Sequence, residues 1–485
     1  MAQGTSGRFH GLLHSGARYV VSDPLSAAEC AAENAILTHI QPGAIEQTGG
    51  LFVQTEQDDP AYAEQFLAAA AQAGVWAEEI DRDTALRLEP RLNPRIIRAF
   101  TVADGSVDGW QIAWTAGRSA QDYGAQILTY HQVTGLVCEQ GRVCRVLARD
   151  RRGQQDVQID CQFVLNCAGA WAGQVAALAG LRDVAVVPGR GIMIAMNQRL
   201  VNRVINRCTY PADGDILVPN HSVCIIGTTD VKVGEPDGLL IDRAEVQQML
   251  DAGEALIPGF REARALRAWA GARPLIKDNR VADDDTRHMS RGMQIVDHAR
   301  HDGLAGLLTI GGGKLTTYRL MAEHIVDAME DQLGQHHPCR TADEPCPSAG
   351  LQTMQLPKRL HQRLADRHCD PVICECEQVS RSMLVSLLQS YAGASLDDIR
   401  RQLRIGMGPC QGGFCSTRAV GVALDCGAAS AEQATSLLRA FLEHRWIGLW
   451  PILHGDQLRQ TALDDWILQG LLNIEHLPPS TQEVL

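Results

Sequence analysis

Residues 307–323 read LLTIGGGKLTTYRLMAE: a short apolar run, three glycines, a lysine and then a helical pattern. The apolar run has the length of a buried strand, and the pattern after Lys314 has the period of a helix, so the glycines fall at a strand-to-helix turn. Glycine there lets a backbone approach a ligand closely, and the N–H groups that open a helix favour an anion. Lys314 places a cation beside the turn. Tight packing of strand against helix needs the same glycines, so this turn alone is a weak sign of a phosphate or a flavin.

The same form recurs upstream. FVLNCAGAW (163–171) is an apolar strand that breaks at a glycine and runs into AGQVAALAG, and SVCIIGTTD (222–230) ends in a polar turn. VTGLVCEQGRVCRVLAR (133–149) reads as a hairpin around Gln140-Gly141. From Gly16 to about Gln335 strand-like and helical patterns alternate, which predicts a mixed α/β fold with ligands at strand ends. The first stretch, GTSGRFHGLLHSGARY (4–19), sets small residues before His14, Arg18 and Tyr19. Arg18 reads equally well as part of a solvated basic face, and Tyr19 as core. Arg273 in GARPLI and Arg291 in MSRGMQI lie beside apolar segments, where an unpaired charge is costly. A surface ion pair is the commoner account of either one. Several guanidinium groups converging on one place suit a phosphate dianion.

At 485 residues the chain is too long for one simple core, so two or more domains are expected. A net charge of −13 argues against a general nucleic-acid binder. MAQGTSGRFHG lacks the apolar centre of a leader, and no uncharged run of about 20 apolar residues follows. Fifteen cysteines in such a chain are not expected to form a disulfide framework, and Cys144, Cys161 and Cys224 read as small apolar residues in strands.

Four other cysteines are spaced differently. Cys374 and Cys376 form C-x-C, Cys410 and Cys415 form C-x4-C, and 33 residues separate the pairs. The segment between them reads as two helices, one beginning near Ser380 and one at Ser395, with Asp398 completing an acidic capping box. Such a pair of helices can bring its ends together. Gly406, Gly408, Gly412 and Gly413 leave backbone N–H groups beside the second pair. Four thiolates suit structural zinc as well as an iron–sulfur cluster, but C-x-C is unusual for zinc, so the spacing favours iron–sulfur.

ICECEQVS…IGMGPCQGGFC resembles the ferredoxin-type [2Fe–2S] domain related to bacterioferritin-associated ferredoxin, which also occurs fused to flavin dehydrogenases. HGLLHSGARY, VLNCAGAW, LVPN…IIGTTD, GARPLI, SRG and GGGKLTTYRLMAE together resemble the FAD-dependent glycerol-3-phosphate dehydrogenases of the D-amino-acid-oxidase-like fold. With the cysteine module and the tail HRWIGLWPILHGDQLRQ…DWILQGLL, the chain is similar to the large subunit of the anaerobic, three-subunit members.

The resemblance implies two cofactors, FAD and a [2Fe–2S] cluster on Cys374, Cys376, Cys410 and Cys415. It implies that Gly4, Thr5 and Ser6 face the FAD phosphates or the flavin edge, and that Val133 and Gly169 lie along the adenosine half. Gly312, Gly313, Lys314, Leu315 and Thr316 would meet the isoalloxazine. Arg18, Tyr19, Arg273, Arg291 and Lys314 would hold glycerol phosphate, with His14 a candidate proton acceptor. Electrons would leave singly toward partner subunits and a quinone, with the chain cytoplasmic and held at the membrane through those partners. Two alternatives stay open: a related flavin enzyme acting on another hydroxy or amino acid, and a flavin-free electron-transfer subunit.

The expected organisation is a flavin and substrate domain over 1–335, a linker over 336–368, the cysteine module over 369–430 and a helical tail over 431–485. Trp446, Trp450 and Trp466 in that tail would dock a partner, touch a membrane surface or simply pack. The family opens with a strand and a G-x-G-x-x-G turn, and this chain begins where that unit would already be finished, roughly 40 residues on. A sheet with an open edge is therefore expected, together with a start placed too late or a truncated product that binds FAD poorly.

Overall fold

The computed structural model describes every residue except 183, 185, 277–291, 348–353, 366–369, 392, 474–475 and 477–485. Val164–Asn166 and Leu307–Gly312 lie side by side and parallel, Val164 opposite Leu307 and Asn166 opposite Thr309. Met293–Asp297 adds an antiparallel third strand. Because the first two are parallel, the turns that follow them leave the sheet at the same end, where an open α/β sheet places a ligand. Both turns have the expected form. A 3-10 turn at Gly169–Trp171 leads into the helix Ala172–Ala177, and one at Leu315–Thr317 leads into Tyr318–Leu333. The other edge of Val164–Asn166 pairs with no strand among the described residues.

A second sheet, of nine strands among the described residues, carries the main core. Its longest pairing joins Val186–Met196 to Ala265–Ile276, antiparallel from Val186 opposite Ile276 to Met196 opposite Ala265. Ile216–Asn220 and Val223–Gly227 are buried at every position, which explains their unbroken apolar sequence. The helix Arg243–Leu256, started by a capping box between Asp242 and Glu245, lays Val246, Met249 and Leu250 onto this core. The hairpin of His131–Glu139 and Arg142–Asp150 turns at Gln140 (φ 49°) and Gly141 (φ 73°), as a two-residue loop with both angles positive requires.

The cysteine module is built from Val372–Cys374, Val379–Ser380 and the helices Arg381–Ser390, Leu396–Leu403 and Cys415–Asp425. Ser380 and Ser395 cap the first two helices as the sequence predicts, and Asp398 completes the box at the second. The helix Ala431–Leu449 contributes Leu437 and Phe441 to the same core, so packing continues through the boundary expected at 430. The stretch expected as a linker holds the helix Leu356–Ala365, whose Arg359 is buried against Glu377. Among the described residues no helix is long and apolar enough to cross a membrane.

Candidate active site and cysteine centre

The segment 4–19 is pinned from several sides. Leu12–Leu13 pairs with Gly105–Val107, and the Ser15 N–H and hydroxyl both donate to Asp104 Oδ1 at 2.8 and 2.7 Å. Asn206 donates to the other Asp104 oxygen at 3.0 Å. Burial raises the Asp104 carboxyl pKa against the pull of these bonds. The His14 N–H donates to Thr316 Oγ1 at 3.2 Å, which ties the segment to the glycine turn.

This arrangement gathers His14, Tyr19, Lys314 and Thr316. The buried His14 ring lies 5.2 Å from Tyr19, centre to centre, and Lys314 Nζ sits 4.5 Å from the centre of the Tyr19 ring. Next to Tyr19, Arg18 Nη2 donates to both oxygens of Asp215, at 2.9 and 2.8 Å. Arg273 donates to Asp230 at 2.7 Å, to Thr229 O at 2.8 Å and to Thr228 Oγ1 at 3.2 Å. Both arginines are thus held by carboxylates on other elements.

The N-terminal segment also runs along the Arg273 strand. Thr5 Oγ1 donates to Ala272 O at 2.5 Å, and a Cβ on Gly271 would collide with the Arg8 carbonyl, so only glycine permits this approach. His10 bridges the two groups: its ring is 6.1 Å from His14, and its Cβ lies 2.9 Å from where a Cβ on Gly227 would stand. His10, Asp215 and Asp230 were not among the residues expected from the sequence. The HGLLH spacing of His10 and His14 was an available signal, and the two aspartates had none.

The other candidates separate. Gly4 packs on the Trp171 ring, and Gly169 (φ 58°) faces open space, with no atom within 4 Å of a would-be Cβ. Gly312 and Gly313 are both left-handed, at φ 74° and 70°, and a Cβ on Gly313 would also strike Met321. Leu315 and Thr316 form the 3-10 turn after Lys314. Ser6 faces the start of the helix Gly109–Asp122, where Gly109 abuts its carbonyl. Val133 lies exposed on His131–Glu139, a strand of a separate three-stranded sheet. Arg291 lies outside the described residues.

Cys374, Cys376, Cys410 and Cys415 form a closed ring of sulfur contacts, Cys374 and Cys410 each meeting both Cys376 and Cys415. Hydrogen bonds from Cys376 and Cys415 pull the Cys374 and Cys410 thiols down, and the two donors are raised in turn. The Glu377 N–H also reaches Cys374, and the Gly412 and Phe414 N–H groups reach Cys410. A Cβ on Gly408 would collide with Cys376, so glycine is what lets the second loop close on the first pair. Among the described residues no group of three or more His, Cys, Asp and Glu side chains, these four cysteines included, is arranged to hold a metal ion.

A parallel strand pair with glycine turns at one end, beside the cluster of His14, Tyr19 and Lys314, suits the binding of a dinucleotide cofactor at the strand ends. The chain belongs to the FAD dependent oxidoreductase family, which it matches over residues 1–328. It is similar, at 40% identity over 499 aligned residues, to an anaerobic glycerol-3-phosphate dehydrogenase subunit of Escherichia coli strain K12, covering 98% of this chain and 91% of that one. An anaerobic glycerol-3-phosphate dehydrogenase subunit of Haloferax volcanii is 37% identical, covering 99% of this chain and 86% of the relative. Among solved structures, the FAD complex of Bacillus halodurans glycerol-3-phosphate dehydrogenase shares the fold, with a TM-score of 0.56 at 18% identity over 99% of this chain and 89% of that one. The L-alpha-glycerophosphate oxidase of Mycoplasma pneumoniae does so over 72% of this chain and 90% of that one, at 17% identity and a TM-score of 0.56.

Proposed function

We propose that this chain oxidises sn-glycerol 3-phosphate to dihydroxyacetone phosphate with FAD, and passes the electrons through a [2Fe–2S] cluster on Cys374, Cys376, Cys410 and Cys415 to partner subunits and a quinone. The observation that carries the first part is the meeting of His14, Tyr19 and Lys314 at the glycine turn through the His14–Thr316 bond. The relatives named above act on the same substrate by their names.

Gly4 to Ser6, Gly169 and Gly312 to Thr316 would hold the FAD. The open space at Gly169 and the glycines at the shared strand end fit a bound dinucleotide. FAD, when bound, supplies the acceptor for the hydride. Lys314 offers a cation to the substrate phosphate and is steadied by the face of Tyr19. Arg18 and Arg273 add positive charge, with Asp215 and Asp230 fixing their guanidinium planes. His14, buried and anchored by its own backbone, takes the proton of the C2 hydroxyl as the C2 hydrogen leaves with its electron pair and the carbonyl forms.

The four cysteines fit an iron–sulfur cluster in donor chemistry, because their sulfurs meet one another and backbone N–H groups reach two of them. A cluster bound there would supply one-electron transfer. Trp446, Trp450 and Trp466, which are 47, 66 and 78% exposed, offer partner subunits an apolar face beside this module.

The test is to purify the chain without oxygen and quantify FAD, iron and sulfide. About two iron and two sulfide per chain with one FAD support both centres. Iron without flavin would favour an electron-transfer subunit, and flavin reduced by an amino acid instead of glycerol 3-phosphate would move the substrate class.

A further inference from the structure

Glu377 follows Cys376 directly in sequence and is fully buried, with Arg404, Arg359 and His221 around it. Its carboxylate accepts from Arg359 Nη2 at 3.2 Å and Arg404 Nε at 3.3 Å, with His221 Nδ1 3.1 Å away. Arg404 then reaches across to the flavin side, donating to Asp108 Oδ2 at 2.7 Å and to Asn220 Oδ1 at 2.7 Å. The other Asp108 oxygen caps the helix Gly109–Asp122, and Gly109 abuts the Ser6 carbonyl. Asn220 in turn lies against Gly11, next to His10. An unbroken run of contacts thus joins Cys376 to the segment Gly4–Ser6.

These six side chains belong to residues no more than 5% exposed, and their two arginines balance their two carboxylates. Buried ion networks are poor sources of net stability, and an apolar contact of equal area would hold the two parts together as well. What directional bonds add is a single geometry. His221 (φ 51°) stands in the two-residue loop between Ile216–Asn220 and Val223–Gly227, and Arg404 (φ 59°) ends the helix Leu396–Leu403, so the network is tied to a hairpin turn on one side and a helix end on the other.

We infer that Asp108, Asn220, His221, Arg359, Glu377 and Arg404 form a positioning clamp that fixes the cysteine quartet against the candidate flavin segment. Its loss slows electron passage between the two centres without slowing substrate oxidation. This rests on the two centres proposed above.

The experiment compares the parent chain with Arg404→Leu, Arg404→Lys and Asn220→Ala. Loaded with FAD and iron and mixed rapidly with glycerol 3-phosphate, Arg404→Leu bleaches its flavin at the parent rate but reduces its iron centre about tenfold or more slowly. Arg404→Lys recovers most of that rate. Asn220→Ala, which leaves every charge paired, shows a smaller fall in the same direction and serves if Arg404→Leu does not fold. In the metal-free chain, amide hydrogen exchange at 105–111 and 218–223 rises in Arg404→Leu and returns to the parent level in Arg404→Lys. Iron-loaded variants that pass electrons at the parent rate, with unchanged exchange, overturn the clamp alone. A parent chain that holds no iron removes the functional reading and the clamp with it.

Discussion

The cluster around His14 and the quartet around Cys376 are built in opposite ways. The quartet is local: its four cysteines lie between residues 374 and 415, on the strand Val372–Cys374, the turn after it, one glycine loop and the start of the helix Cys415–Asp425, with two capped helices between the pairs. The His14 cluster is assembled from distant parts of the chain. The His14–Thr316 bond spans 302 positions, Arg18–Asp215 spans 197 and the Thr5–Ala272 bond spans 267. The quartet's sulfurs meet one another within one module, whereas Arg18 and Arg273 are each fixed by a carboxylate on another element. A local site is set by the spacing of its ligands. A distributed site depends on the register of the whole sheet, so damage far from it is felt there.

That contrast can be broken most decisively at the sulfurs. Cys410→Ser is expected to abolish iron retention while FAD content and substrate-driven bleaching stay at the parent level, as metal analysis and absorbance would show. Loss of flavin together with iron would mean the two sites are not separately built. Beside His14, Lys314→Met removes the charged contact to phosphate proposed for it, worth about 2 kcal/mol, and is expected to lower kcat/KM for glycerol 3-phosphate about thirtyfold, mostly through KM. Unchanged kinetics would take Lys314 out of the phosphate site. Gly408→Ala forces a Cβ onto Cys376 and is expected to destabilise the module by about 1–3 kcal/mol, seen as a lower melting temperature with flavin binding intact.

The smallest effect is a pH dependence at the junction of the two regions. Burial, with Arg404 beside it, lowers the His221 imidazole to about 4 even though Glu377 opposes the shift. The unfolded chain therefore binds a proton near pH 6.5 that the folded chain refuses until about 4. The stability from a neutral His221 is complete above 6.5 and declines as pH falls toward 4. Melting of the metal-free chain should show that decline, and His221→Gln should flatten it. A melting temperature that rises on acidification over this range would mean His221 is charged in the fold.

How much the sequence disclosed follows the same division. Ser380, Ser395 and Asp398 stand at helix caps, so the module's first helices could be read directly. The strand–glycine–helix turns at Gly169 and Gly312 were legible for the same reason, because each is a short-range signal. The helix Leu356–Ala365 was not legible. It follows a proline- and histidine-rich stretch, and its burial depends on Arg359 meeting Glu377, which no local pattern reveals. The extension of the module core through Phe441 was hidden too, since Ala431–Leu449 carries apolar residues on its exposed side as well, Trp446 and Ile447 among them. Asp215 and Asp230, the partners of Arg18 and Arg273, look like ordinary loop aspartates until the sheet places them.

The most direct test of two distinct centres in one chain is to add sn-glycerol 3-phosphate to the anaerobic, iron-loaded protein while recording flavin absorbance and the paramagnetic signal of reduced iron. The flavin band is expected to bleach and the iron signal then to appear, and Cys410→Ser is expected to keep the first change and lose the second. An iron signal that never appears on substrate addition, in protein that holds both FAD and iron, would contradict it.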